Sequence, residues 1–256
     1  MARTPFVDLG YGRDRTRIPI LYEDTAVLAI DKPAGWLLVP FSWQRTQRNL
    51  QAAISSSIAG AEFWARSRGL KFLRFVHRLD GDTTGVLLFA KSLGAVETLG
   101  DLFESRQMRK TYLAVVRGIP QQAFWTCRAK LSPDPGQDGR IRVDPRGGKE
   151  AETEFRLLRS IGDRSLIEAT PITGRTHQIR VHLRESGHPV VGDLLYGPVA
   201  VDSRAGLRNR FPLGLRAIRL AYTDPFRRKP VDIQAPADRF LSAFGFVGIP
   251  PNPLPG

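Results

Sequence analysis

Cysteine is almost absent: Cys127 is the only one in 256 residues, so no internal disulfide and no cysteine-based zinc site can form. Histidine is scarce too. The four, at 77, 177, 182 and 188, show no HExxH spacing, and no metal is expected. No apolar run approaches the ~20 residues needed to cross a bilayer. The first fifteen residues, MARTPFVDLGYGRDR, have no hydrophobic region of the secretory kind, so a cytoplasmic protein without a membrane partner is expected. Cofactor-binding motifs, internal repeats and a clear interdomain linker are missing as well. Lysine is the least expected shortage: seven of 38 basic residues are lysine and 31 are arginine.

What is abundant is therefore arginine. The net charge of +13 favours a polyanionic partner. The planar guanidinium makes forked hydrogen bonds to phosphate and lies flat on rings, so nucleic acid is the favoured one. Hydrophobic content of 42% and charged content of 25% are those of an ordinary globular chain, long enough for one large domain or two small ones.

Along the chain, residues 1–19 read as an Arg-rich arm. Ile20–Tyr22 and Val27–Ile30, split by Glu23 and Asp24, read as a hairpin that runs into the turn Lys32-Pro33-Ala34-Gly35. Residues 49–59 are predicted helical. Ser92 is a helix cap for a helix to about Gln107, with Val96, Leu99 and Phe103 on one face. Strands are predicted at 109–118, 123–131, 151–159 and 164–170, and within 216–236. The Pro-, Gly- and Asp-rich stretch 132–148 is either a loop facing the nucleic-acid partner or a long hairpin turn. A helix is predicted from about Thr176 to Ser186, stopped by Gly187, with 198–215 as loop. Residues 20–245 form the main domain and 246–256 a Pro-rich tail. Strands outnumber helices and hairpins outnumber βαβ units, which predicts an α+β fold with a mainly antiparallel or mixed sheet and flanking helices.

The organising stretch is FVHRLDGDTTGVLLFAKS, residues 75–92. Val86–Ala90 is a nearly all-apolar run, as expected of a strand buried on both faces. Before it, His77, Arg78, Asp80 and Asp82 crowd into a turn-rich segment. Ionisable groups at the end of a buried strand suit a rigidly held reactive site; a polar loop capped by an Asp–Arg pair is the plainer reading. Asp80 is the leading nucleophile, because an aspartate is ionised at neutral pH without metal or cofactor. Tyr112, on a predicted strand, is either a core tyrosine or a platform for a base with a phenol for proton transfer. His177, Arg180 and Arg184 share one helical face. That stripe is either a solvated basic face or a pocket wall from which Arg180 pairs with Asp80.

His77-Arg78-Leu79-Asp80, followed by Thr83-Thr84-Gly85 and Leu87-Leu88-Phe89-Ala90-Lys91-Ser92, resembles the catalytic motif of the RluA-type pseudouridine synthases, which isomerise uridine in structured RNA. Five further segments match that family in order: Ala29–Trp36, Arg109–Tyr112, Gly148–Thr153, Thr173–His182 and Gly187–Asp193. The resemblance spans roughly residues 20 to 240. It implies the pseudouridine synthase fold with a central RNA-binding catalytic cleft and no cofactor. It implies Asp80 as nucleophile, attacking uracil C6 or ribose C1′, Tyr112 packed on the target base, and Arg180 paired with Asp80. Arg78, with His77, Lys110, Arg175, His177 and Arg184, would contact an RNA opened where the uridine leaves the stack. The partner is then ribosomal or transfer RNA, met by a monomer. Arg216 stands where the family carries histidine, Thr84 where serine is common and Val86 where leucine is common. Nothing before residue 20 matches the small RNA-binding domain some relatives carry, so the loops at 37–48 and 132–148 and the arm would select the target. A catalytically inactive RNA-binding protein on the same fold is the alternative.

Overall fold

The computed structural model describes residues 5–10, 15–38, 48–197 and 211–248. In chain order the elements are β1 (Phe6–Leu9), β2 (Thr16–Glu23), β3 (Val27–Lys32), α1 (Leu50–Ala59), α2 (Phe63–Arg66), β4 (Arg74–Phe75), β5 (Thr84–Ala90), α3 (Leu93–Glu104) and β6 (Arg109–Arg117). Then come β7 (Phe124–Cys127), β8 (Leu131–Pro133), β9 (Ile141–Val143), β10 (Thr153–Ile161), β11 (Arg164–Pro171), α4 (Gln178–Glu185), β12 (Leu215–Thr223), β13 (Pro230–Gln234) and α5 (Asp238–Ala243). The α+β class expected of the sequence holds.

The chain divides into two compact units, the first made of residues 1–109 and 219–235, the second of 110–218 and 236–256. In the first, β1 pairs with β2, β2 with β3 and β3 with β5, all antiparallel. β4 lies on the other edge of β5, and β13 pairs antiparallel with the 219–223 end of β12. Both β3 and β5 are buried almost without a break, and Leu28, Ile30, Leu87 and Phe89 are fully enclosed. This is the two-sided burial that the apolar run 86–90 predicts. One face packs Val27, Ala29, Val86, Leu88 and Ala90 against Ala95 and Leu99 of α3 and against Leu220, Tyr222, Val231 and Ile233. Ser92 caps α3 as expected, its hydroxyl accepting the Ala95 amide at 3.2 Å. Asn49 does the same for α1 with Ala52.

Two boundaries differ from the sequence reading. Residues 6–9 and 16–19, expected within an arm, form the β1–β2 ladder. Val7, Leu9 and Ile18 are fully buried, because alternating apolar residues among the arginines supply a core-facing edge. The rest of the stretch up to residue 14, apart from residues 5 and 10, lies outside the described residues, as do 39–47 of the expected selectivity loop.

In the second unit β11 pairs antiparallel with β6 and β10, and β7 closes that edge on β10. Leu113, Val115, Leu166 and Val191 pack with Leu241, Phe244 and Phe246. Phe246, expected within the tail at 246–256, is 1% exposed and part of this core; 249–256 lie outside the described residues. The strand expected at 123–131 breaks in two, and 131–143 folds as the small β8–β9 hairpin. It is a hairpin with a pad beneath it: Leu131, Ile141 and Val143 cluster with Ala151, Val181 and Tyr196. Helix α4 starts at Gln178, two residues later than expected, because His177 sits in the left-handed region at φ 54° and closes the preceding turn. Of its basic stripe, Arg180 is not solvated, since Gln178 through Leu183 are all buried, whereas Arg184 is exposed.

Candidate active site

In the first unit, Asp80 sits on a turn between β4 and β5, with the Thr83 amide donating to its carbonyl at 3.2 Å. The HRLD segment alternates: Leu79 is 7% exposed and anchors inward, Arg78 is exposed, and Asp80 is half-buried. Upstream, the chain is sewn to β5. The Val76 amide donates to Leu88 O at 3.1 Å, and the Leu88 amide donates back to His77 Nε2 at 3.0 Å. The His77 ring also stacks on Phe103, centroids 4.8 Å apart. These bonds of His77 are internal, so it acts here as a brace for the loop.

Beneath the loop lies a residue whose role the sequence reading missed. Lys32, at the end of β3, is fully buried. Its ammonium donates to the carbonyls of Gly81 at 2.6 Å, Pro33 at 3.0 Å and Thr83 at 3.0 Å. Three donors meet three acceptors, which uses the whole capacity of the group. Burial pulls its pKa down from the ordinary 10.5 to about 8, against the opposing charges of Asp82 and Asp80. The Gly35 amide also donates to Gly81 O at 3.0 Å. A side chain at Gly81 would strike Leu37 Cδ2 at 2.7 Å, so the KPAG turn and the HRLDG loop are fitted to each other. The signal in the sequence was a lysine just past the apolar run Val27–Ile30 and directly before Pro-Ala-Gly.

The other candidates lie in the second unit. Tyr112 is 8% exposed and pairs across β6–β11 with Ala169. Lys110, two residues earlier and so on the same face of the strand, donates to Thr173 O at 3.3 Å, and burial lowers its pKa to about 8. The segment 173–180 is held by a buried amide, Gln178. Its Oε1 accepts the Thr173 hydroxyl at 2.7 Å and the Arg175 amide at 2.9 Å. Its Nε2 donates to Thr153 Oγ1 and Glu152 O, each at 2.9 Å. Thr153 lies 2.9 Å from His182 Nδ1, whose ring reaches Ala129 O through Nε2 at 3.0 Å. A carbonyl can only accept, so Nε2 carries the proton and Nδ1 accepts from Thr153. Burial lowers the His182 pKa and keeps the ring neutral, against the Ala129 bond and Glu185.

Arg180 is 7% exposed. It makes a forked pair with Asp193, Nε to Oδ2 at 2.7 Å and Nη2 to Oδ1 at 2.8 Å. Asp193 also accepts the amides of Leu195 and Tyr196. Burial alone would raise its pKa, yet the Arg180 fork and those amides hold it below the usual carboxylate range. Asp193, quoted in the sequence only as part of a motif, is a carboxylate that orients the guanidinium within the second unit. His177 bonds Tyr196 through Nδ1 at 2.8 Å, Arg175 donates to Glu150 O at 3.0 Å, and Arg184 is exposed at the end of α4. Arg216, the departure from the expected histidine, is buried and donates to Pro236 O at 3.0 Å. Among the described residues no three His, Cys, Asp or Glu side chains gather as a metal-ligand group.

The second unit thus brings Lys110, Arg175, His177 and Arg180 onto one bonded framework next to Tyr112, while Asp80, Arg78 and His77 belong to the first. The first unit supplies a carboxylate, and the second a phenol and a rigidly held guanidinium, group types capable of nucleophilic and of proton-transfer chemistry.

Comparison with known proteins gives this constellation its setting. The RNA pseudouridylate synthase family model matches residues 26–185. The ribosomal large subunit pseudouridine synthase C of Salmonella typhimurium is 36% identical over 229 residues, covering 87% of this chain and 67% of that protein. The protein of the same name from Vibrio vulnificus is 34% identical over 217 residues, covering 85% and 65%. The chain therefore spans about two thirds of the length of these relatives. Among solved structures, human RNA pseudouridylate synthase domain containing 1 superposes with a TM-score of 0.67 at 28% identity, over 88% of this chain and 86% of that one. Human RNA pseudouridylate synthase domain containing 4 gives a TM-score of 0.70 at 23% identity, over 88% and 90%, a likeness of fold. With the motif loop, the buried lysine under it and the matched span all falling within the same segments, this chain belongs to the RNA pseudouridylate synthase family.

Proposed function

We propose that this protein is an RNA pseudouridine synthase that isomerises uridine in structured RNA, with Asp80 as its nucleophile. The reaction breaks the N1–C1′ glycosidic bond and forms C5–C1′, moving a proton from C5 to solvent while N1 gains one; no electrons are gained or lost overall. Asp80 attacks uracil C6 or ribose C1′, Tyr112 packs on the base and assists removal of the C5 proton, and Arg180, held by Asp193, pairs with Asp80. Arg78, exposed two residues before the nucleophile, contacts the RNA where the uridine has left the stack. Lys110, Arg175, His177 and Arg184 line the RNA path, with His77 beside them as part of the loop.

The observation that carries this reading is the placement of Asp80 on a half-buried turn clamped by a fully buried lysine, in a chain whose family model is that of RNA pseudouridylate synthases. The names of the relatives point to RNA of the large ribosomal subunit as the first substrate to map, with transfer RNA second. The protein is proposed to act as a cytoplasmic monomer; no helix among the described residues is long and apolar enough to cross a membrane.

The test is pseudouridine mapping by carbodiimide labelling and primer extension in cells lacking the gene, with wild-type or Asp80→Asn copies returned. One position should vanish and be restored by the wild type alone. Purified Asp80→Asn should lose turnover by a factor on the order of a thousand or more while keeping RNA affinity, since a nucleophile acts on the reacting bond rather than on binding at large. If no position changes in any RNA, the chain is an RNA-binding protein on this fold without activity.

A further inference from the structure

Tyr196 has no part in the reaction as set out above, yet five residues of the second unit converge on it. It is 2% exposed. Its hydroxyl accepts the Ile141 amide of β9 at 2.8 Å and bonds His177 Nδ1 at 2.8 Å. The Arg180 guanidinium carbon stands 5.0 Å from its ring centroid and that of Arg140 stands 5.7 Å away. Its own amide donates at 3.0 Å to Asp193 Oδ1, the same oxygen that receives Arg180 Nη2. A ring within about 6 Å of a cation attracts it through the ring quadrupole, and more strongly when both are dry.

We propose that Tyr196 is a positioning residue that sets Arg180 and the β8–β9 hairpin together: the ring is the floor on which Arg180 lies, and the hydroxyl is the peg that fixes the hairpin and His177. Arg180 has two fixed contacts on one edge through Asp193 and one on its face through the Tyr196 ring, so its plane is determined. The hairpin carries Arg140 and Arg142, whose side chains are 26% and 50% exposed, and it rests on a pad that includes Tyr196. An RNA that presses on those arginines therefore loads the same side chain that supports Arg180. The inference rests on the reading that Arg180 acts in the reaction.

The two halves of the side chain separate the two duties. Tyr196→Phe keeps the ring and deletes the peg; Tyr196→Leu deletes both. Turnover is read by release of tritium from RNA labelled at uridine C5, and folding by thermal melting. In Tyr196→Phe the rise in KM for RNA should exceed the fall in kcat by about fivefold, the scale of one or two lost neutral hydrogen bonds. In Tyr196→Leu, kcat should fall a further factor of about ten, as expected when a group needed in the transition state loses its support. Adding Tyr196→Leu to Arg180→Lys should cost little beyond Arg180→Lys alone, because both remove one arrangement. Equal losses in the two single variants, full additivity in the double one, or lowered melting temperatures with wild-type kcat and KM would each overturn the proposal. Wild-type kcat in Arg180→Lys beside an inactive Asp80→Asn would remove the role of Arg180, and this inference with it, while leaving the nucleophile in place.

Discussion

Lys32 concentrates the physical chemistry of the HRLDG loop in one side chain. A buried ammonium is tolerated here because every proton meets a carbonyl, and a buried charge without such partners would cost several kcal/mol. With its pKa drawn down to about 8 by burial, the group loses its charge within reach of ordinary assay conditions. The neutral amine has two protons for three carbonyls, so the loop loses one of its ties. Activity at saturating RNA should therefore decline as pH rises from 7 through about 8 to 9. Stability should not follow it. Because the folded value lies below the ordinary 10.5, the unfolded chain binds the extra proton between about 8 and 10.5, and this group adds stability as pH rises through that window. Lys110 titrates in the same range, so the profile is to be taken in a Lys110→Met background. A kcat that stays level from pH 7 to 9 there would mean that the charge on Lys32 does not govern the loop.

At the scale of elements, α4 shows how a polar sequence becomes interior. Its residues are mostly hydrophilic, but Gln178, Arg180 and His182 each find partners within the second unit: an amide network, a carboxylate fork and a threonine–carbonyl pair. Partnered in this way, the polar residues of a helix can be buried. The arrangement makes a pH prediction of opposite sense to that of Lys32. His182 is held neutral, with its pKa below 6.5, so on acidification the unfolded chain takes up a proton first and stability is lost. The loss begins near pH 6.5 and continues until the folded-state ring is protonated, at up to about 1.4 kcal/mol per pH unit. Urea unfolding at pH 7, 6 and 5.5 should show this slope in the wild type. His182→Gln should flatten it, at a uniform cost of about 1–3 kcal/mol for the bonds it cannot remake. An unchanged slope in the variant would assign the acid sensitivity to other groups.

For the whole molecule the dominant quantity is charge. Thirty-one arginines and a net +13 favour binding by phosphate neutralisation, which releases counterions and makes affinity fall with salt. If even four phosphates are engaged, RNA affinity measured by filter binding should drop on the order of a hundredfold between 50 and 200 mM salt. Asp80→Asn should show the same slope, because it changes no phosphate contact. A dissociation constant insensitive to salt would contradict an RNA partner held through its backbone. Many arginines are meanwhile committed internally: Arg68 to Glu23, Arg156 to Glu168, Arg180 to Asp193 and Arg219 to Asp232. The surplus facing RNA is therefore smaller than the composition suggests.

The amino-acid sequence by itself determined the class, the buried strand that follows the HRLD motif, and the family. A five-residue apolar run entered through a turn-rich segment, such as Val86–Ala90, reads as a buried strand. The Ser92 cap reports a helix start through one local hydrogen bond, and a motif of fixed spacing reports chemistry whatever surrounds it. Partnerships between distant residues were decided by the tertiary structure. Lys32 meets Gly81 across 49 positions and Thr83 across 51, and His182 meets Ala129 across 53. No periodicity encodes such meetings. The burial of α4 was illegible for the same reason: whether a polar residue faces water or a partner depends on groups brought from elsewhere in the chain. The hairpin at 131–143 stayed one of two alternatives and the strand at 6–9 was misread as an arm, because short segments draw their stability from the surface they cover, the Tyr196 pad in one case and the edge of β2 in the other.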